Sequence, residues 1–335
     1  MADAIPMVEV RRGPFAESVH RGHAVICDAS GAIRAAWGDP DAVILPRSSC
    51  KMLQALPLVE SGAAAELGSE ELALACASHQ GAEMHVSRVA RWLSDLGLGE
   101  RDLRCGAQVP DDRAERGRLR EGLEAPCQLH NNCSGKHAGF LMLNRHLRGD
   151  SEYVAPDHPV QKAARAAFEE MTGAESPGYG IDGCAAPNFA TTMRGLASAM
   201  ARMANPAGLG ATRQAAAERL VAAMVSHPLL VAGEGRACSE LMAAAGGSVA
   251  VKTGAEGVFA AIWPEKGLGL AIKIEDGTTR ASECAVAALL TRLGAVKAAD
   301  PRVSRRTAPV ITNRRGVAVG EIGPAPALWE NGAPL

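Results

Sequence analysis

A chain of 335 residues that is 47% hydrophobic and 21% charged is long enough for two domains with buried cores, and its composition is not that of a disordered chain. Lys+Arg 35 against Asp+Glu 37 leaves a net charge of −2, and only 4 Trp, 2 Tyr and 5 Phe are present. No basic face and no stacking platform follow from such numbers, which argues against dedicated nucleic-acid or membrane-surface binding. The opening MADAIPMVEV lacks the basic and apolar regions of a signal peptide, and no run of roughly 18 apolar residues occurs. Nine cysteines, an odd number without framework spacing, read as reduced thiols, so the expected location is cytoplasmic.

In chain order, short apolar runs separated by Gly and Asp turns (Met7 to Val10, His23 to Cys27, Ile33 to Trp37) predict strands, with His20 and His23 on the strand surface. From about 50 to 246 the spacing becomes helical. Val86, Val89, Leu93 and Leu96 mark one face, Val160, Ala164 and Phe168 a second, Phe189, Met193, Leu196 and Met200 a third. Strands return over Ser248 to Val251, Gly257 to Trp263 and Gly267 to Ile274, then a helix over Thr279 to Leu293 and two strand-like segments, Pro309 to Thr312 and Val317 to Ile322. The simplest compact solution is an α/β (α+β) chain. Residues 1–49 and 247–335 pair into an antiparallel sheet subdomain with the late helix, 50–246 form an inserted helical subdomain, and the active site lies in the cleft between.

Only seven lysines occur, so each invites a question, because an amine can lose its proton on desolvation and a guanidinium cannot. Ser48-Ser49-Cys50-Lys51 stands where strand gives way to helix, and the offset of three sets hydroxyl and amine one turn apart. As a bare pattern S-x-x-K is common, being also a capping serine followed by a solvated lysine. Lys252-Thr253-Gly254 falls on a predicted strand about 200 residues later; in serine acyl-transfer enzymes S-x-x-K and K-T-G are two of three signature elements, and their joint occurrence is far more specific than either alone. The third, S-D-N, is missing, and Ser78-His79-Gln80 offers a second hydroxyl instead. Two lysines beside two serines imply attack on an amide carbonyl, an acyl-enzyme and its hydrolysis, since a serine needs a neighbouring base and paired lysines make one.

Cys133, Lys136, Cys184 and Asp182 form a plausible zinc set by donor softness, although lysine is an unusual ligand; His130 and His137 are alternative donors. Gly178-Tyr179-Gly180-Ile181-Asp182-Gly183 matches G-x-G-x-x-G but has no strand before it and Pro187 soon after, so dinucleotide binding is rejected.

The segments LPRSSCKMLQALPLVESG, CASHQGAEMH, HNNCSGKHAGFL, GIDGCAAPNF, HPLLVAGEGRACSELM and VKTGAEGVFAA together resemble the rhizobial-type, thermolabile L-asparaginases over nearly the whole length. The resemblance implies a fold similar to serine β-lactamases and glutaminases. It also implies two Ser-Lys tandems, Ser48 with Lys51 and Ser78 with Lys252, and a Zn²⁺ site on Cys133, Lys136 and Cys184 with Asp182 close by. The metal is then expected to tune substrate affinity, since serine supplies the nucleophile. The implied substrate is the small molecule L-asparagine and the implied assembly a homodimer. Ser48 matches the nucleophile position, with Lys51 as its base, although sequence leaves the acylated serine open. Arg47, His79, Thr253 and Glu256 are candidates for binding the substrate. A glutaminase or a β-lactam-hydrolysing enzyme on the same fold is the alternative.

Overall fold

The computed structural model describes residues 3–330. It divides into two compact units, one comprising the stretch up to Ser49, Thr191–Asn205 and the stretch from Glu240, the other Cys50–Ala190 and Pro206–Ser239.

The first unit is built on an eight-stranded antiparallel sheet. Seven strands run in the order Val310–Thr312, Ala318–Pro324, Ile5–Arg12, Phe15–Asp28, Leu268–Ile274, Val258–Trp263, Ala250–Thr253, and Ile33–Trp37 also pairs with Phe15–Asp28. Amino- and carboxy-terminal strands thus pair as their patterns predict, Val8 opposite Pro324 and Ile26 opposite Leu270. All six residues of Val258–Trp263 are buried, which requires cover on both faces of the sheet. The helices Met193–Ala204 and Thr279–Arg292 both pack on this strand and on Leu268–Ile274. Close packing of the first is set by Gly269: a Cβ there would lie 2.1 Å from the Ala201 nitrogen and 2.2 Å from the Ala197 oxygen, inside the helix backbone.

Three expectations meet a difference here. The helical pattern from Phe189 begins in fact at Met193, because Phe189 closes the strand Pro187–Phe189 opposite Tyr179–Ile181, and the Thr192 hydroxyl caps the helix by accepting from the Gly195 N–H at 3.0 Å. That helix belongs with the sheet, although the sequence pattern assigns all of 50–246 to the helical subdomain. His20 and His23 are buried, not strand-surface residues. His20 Nδ1–H donates to Asp276 at 2.6 Å and His23 Nδ1 accepts from the Asp39 N–H at 2.9 Å, so loop residues distant in sequence cover both rings.

The second unit is helical, its core formed by Lys51–Glu60, which packs against Ser134–Leu147, Pro159–Thr172 and Ala211–Ser226. Nine of its ten residues are buried, so this helix is surrounded rather than amphipathic. The segment Tyr179–Ile181 runs into a turn and a second strand with no helix after it, which agrees with rejecting the glycine-rich fingerprint. No helix among the described residues is long and apolar enough to cross a membrane.

Candidate active site

Lys51 opens the central helix of the second unit and is 1% exposed. Its Nζ donates to the Ala77 carbonyl, to Ser78 Oγ at 3.0 Å and to the Asn132 carbonyl at 3.5 Å. Ser78 follows the helix Ser69–Ala75, where the chain leaves helical geometry and is tied down by backbone bonds. The N–H groups of Ser78 and Gln80 donate to the Val231 and Ala232 carbonyls at 2.9 and 3.1 Å, and that of His79 to Asn132 at 3.2 Å. The hydroxyl is therefore presented on a fixed backbone. Those three acceptors satisfy Lys51 in either protonation state: an ammonium donates to all three, and a neutral amine gives two N–H bonds to the carbonyls and keeps its lone pair for the Ser78 O–H.

His79 is fully buried and engaged internally. Ser134 Oγ donates to the Leu129 carbonyl at 2.9 Å and lies 3.0 Å from His79 Nε2, so this nitrogen carries the proton, while Nδ1 accepts from the Gly81 N–H at 3.2 Å. Its ring stacks on His85, with centroids 4.6 Å apart. Burial lowers the pKa of His85 below its ordinary 6.5, so unfolding lets this ring take up a proton that folding denies it. The resulting stability is complete above pH 6.5 and is lost as pH falls below it. We expect the Tm to decline from pH 6.5 downward, and expect His85→Phe, which keeps the stack, to flatten that decline in thermal melts followed by circular dichroism.

In the first unit, Ser48 sits half-buried on the 3₁₀ turn Arg47–Cys50. The turn is pinned by Ser49, whose Oγ donates to the Pro46 carbonyl at 2.7 Å. Lys252 is 1% exposed on Ala250–Thr253, the terminal strand of the sheet, and its Nζ donates to the Thr253 carbonyl at 2.8 Å. Thr253 Oγ1 donates to the Gly254 carbonyl at 3.2 Å. A Cβ on Gly254 would meet the Pro46 oxygen at 2.6 Å and the Ser49 nitrogen at 3.3 Å. The K-T-G glycine thus lets its strand end lie against the turn that carries Ser48, which explains why the motif needs no side chain there. Arg47 and Glu256 hold left-handed backbone, at φ 54° and 57°. Strain of this kind concentrates at functional sites. Burial lowers the Lys273 pKa and Arg47 adds to that, against the charge of Glu256, whose carbonyl accepts from Lys273 Nζ.

Cys133, Lys136 and Cys184 are brought together within the second unit, Lys136 Nζ lying 3.1 Å from Cys184 Sγ. A hydrogen bond between the two thiols pushes Cys133 up to about 12 and lowers Cys184 to about 4, where Lys136 helps hold the thiolate against burial. Burial works against the Lys136 charge, but Cys184 and Cys133 outweigh it and raise its pKa. Asp182 is half-buried, its carboxylate accepting from the Gly183 N–H at 2.7 Å while its charge reaches Lys136. Of the alternative donors, His137 Nδ1 meets the Tyr153 hydroxyl at 2.9 Å and His130 Nε2 meets Glu115 at 3.1 Å. Among the described residues no group of three or more His, Cys, Asp or Glu converges as a metal site, so any such set depends on the lysine. Sequence reasoning missed the carbonyls of Ala77 and Asn132, which carry no side-chain signal.

An amine held out of water against a serine hydroxyl is the kind of arrangement by which a hydrolase can activate an alcohol. The family model for L-asparaginase II matches residues 8–324, and the chain belongs to that family. It is an amidohydrolase acting on asparagine. No curated protein matches the sequence as a relative. Among solved structures the chain is similar to a β-lactamase from Mycobacterium bovis, with 14% identity over 81% of this chain and 94% of that one and a TM-score of 0.42. It is also similar to Mglu in its native form, with 15% identity over 84% of this chain, spanning 66% of that protein, and a TM-score of 0.45. For Mglu in its tris and glutamate form the identity is 14%, the coverage 90% of this chain and 64% of that one, and the TM-score 0.46.

Proposed function

We propose that the enzyme hydrolyses L-asparagine to L-aspartate and ammonia through a serine acyl-enzyme. Ser48 attacks the side-chain amide carbon and its proton passes to Lys51; the oxyanion is received by backbone N–H groups, ammonia leaves with a proton, and water then releases aspartate. Ser78 and Lys252 move protons and orient the substrate, and Arg47, Thr253 and Glu256 bind it. The expectation that His79 binds it is corrected, because that ring is buried and bonded to Ser134 and Gly81 and so only holds the Ser78 segment in place. The observation that supports this reading is the buried Lys51 Nζ, which donates to Ser78 Oγ at 3.0 Å and to the carbonyls of Ala77 and Asn132. The same contact favours a second reading, in which Ser78 is itself the acylated residue. Intact mass and peptide mapping after mixing with asparagine or a slow ester analogue decide between them. An acyl group on Ser48 supports the first, one on Ser78 the second, and turnover with no acyl group on either sinks both. Ammonia release is expected to be faster from asparagine than from glutamine, with a chromogenic β-lactam slower still; the reverse order would favour the glutaminase or β-lactam alternative.

Zinc belongs to the same reading. Two sulfurs, one with a lowered pKa, and the Lys136 nitrogen, which would give up its proton to the ion, fit zinc in softness and number, with Asp182 or water as the fourth donor. When bound, the ion supplies positive charge near the substrate. Chelation is therefore expected to raise KM for asparagine about tenfold while kcat stays within a factor of about 3, as for an interaction made equally in ground and transition states. A collapse of kcat instead would assign the metal a hydroxide-generating role. On this reading the enzyme works in the cytoplasm as a homodimer, as cysteine usage and the family resemblance imply.

A further inference from the structure

Away from these residues, Cys127, His130 and Glu115 form a second chain of nucleophile, base and orienting carboxylate. Cys127 Sγ lies 3.3 Å from His130 Nδ1, and His130 Nε2 lies 3.1 Å from Glu115 Oε1. The tautomer is set by the surroundings. Nδ1 accepts from the Cys127 backbone N–H at 3.0 Å, so it carries a lone pair beside the thiol, and Nε2 carries the proton directed at the carboxylate. Glu115 is anchored by Arg118, whose Nη2 donates to Oε1 at 2.8 Å; that hydrogen bond lowers its pKa and keeps it charged. The ring and the carboxylate are each 5% exposed, so the pair is shielded from water. Of the nine cysteines, Cys127 alone is half-buried, the other eight being buried, and it follows the exposed segment 121–125. Nothing in asparagine hydrolysis calls for a base beside this thiol.

We propose that Cys127 is a modification site that undergoes thiol–disulfide exchange with low-molecular-weight disulfides, with His130 as proton acceptor. The Cys127 S–H proton passes to His130 Nδ1 and the sulfur attacks one sulfur of the incoming disulfide. A protein–small-molecule S–S bond forms as the original S–S bond breaks, and the departing thiolate takes the proton from the imidazolium. The exchange needs no outside oxidant: one S–S bond replaces another, the Cys127 sulfur passing to the disulfide level as one half of the small disulfide leaves as thiol and the other stays bonded to Cys127. Glu115 is a positioning residue that stabilises the imidazolium.

The test incubates the folded protein with oxidised glutathione and follows intact mass and peptide maps over time. One adduct per chain on Cys127 is expected, with the rate falling about tenfold or more in His130→Gln and less steeply in Glu115→Gln, each variant having the wild-type circular dichroism. Glu115→Gln keeps the test decisive where His130→Gln fails to fold, because a residue that only packs would leave the rate unchanged. Equal rates in wild type and variant, or adducts forming as fast on any other cysteine, overturn the proposal.

Discussion

Replacing Lys51 by methionine is expected to lower kcat/KM for asparagine by about 10³-fold or more, the scale on which a positioned base contributes. Methionine fills a similar volume but neither donates nor accepts a proton, and it removes the buried hydrogen bonds that Lys51 gives to the Ala77 and Asn132 carbonyls and to Ser78 Oγ. Losing buried hydrogen bonds costs about 1–3 kcal/mol, so the variant should also melt lower while keeping a cooperative transition. Lys51→Arg separates charge from basicity. The guanidinium keeps the positive charge but cannot give up its proton at any accessible pH, so it is expected to be as inactive as the methionine variant. Steady-state ammonia release beside a melting curve reads both effects. An arginine variant retaining half the wild-type rate would mean that Lys51 serves only as a fixed charge.

Gly269→Ala is expected to destabilise the first unit by about 3 kcal/mol or more, the upper range for overpacking, and to lower the Tm by roughly 5–10 °C. The added methyl has no rotamer to escape into, and the atoms it meets, Ala197 O and Ala201 N, are helix backbone. The helix Met193–Ala204 must lift from the strand, exposing buried apolar surface along Leu268–Ile274. Gly117→Ala is the matched control with the opposite sign. It lies inside the helix Arg113–Glu121 with nothing within 4 Å of its would-be Cβ, so the change should stabilise by up to about 1 kcal/mol. Denaturant melts of the two variants measure both, and a neutral Gly269→Ala would show that helix and strand are not packed as closely as described.

Element types were legible locally. The late helix, predicted over Thr279 to Leu293, ends at Arg292, and the strand runs at both chain ends appear where alternation and turn residues put them, because periodicity and capping are properties of neighbouring residues. Boundaries failed where a short polar stretch decided them, as at Thr192, whose hydroxyl starts a helix four residues after the apolar pattern begins. The K-T-G motif was placed on a strand by its neighbours, and Lys252 and Thr253 do lie on Ala250–Thr253, whereas the close approach of Gly254 to the turn at Pro46 and Ser49 appears only in the fold.

By itself, then, the sequence determined the order of helices and strands, the family, and which lysines, serines and thiols are scarce enough to question. Tertiary structure alone decided the partners: the Lys51 amine meets a hydroxyl 27 positions away and a carbonyl 81 positions away, and Lys136 reaches a thiol 48 positions away. It also decided that His20 and His23 are buried and that the Cys127 thiol faces a base held by Glu115. The division has one physical cause. Local backbone preference acts over a few residues and survives in the sequence as a pattern. Desolvation and hydrogen-bond partnership, which govern what an ionisable group can do, are set by segments that meet only when the chain has folded.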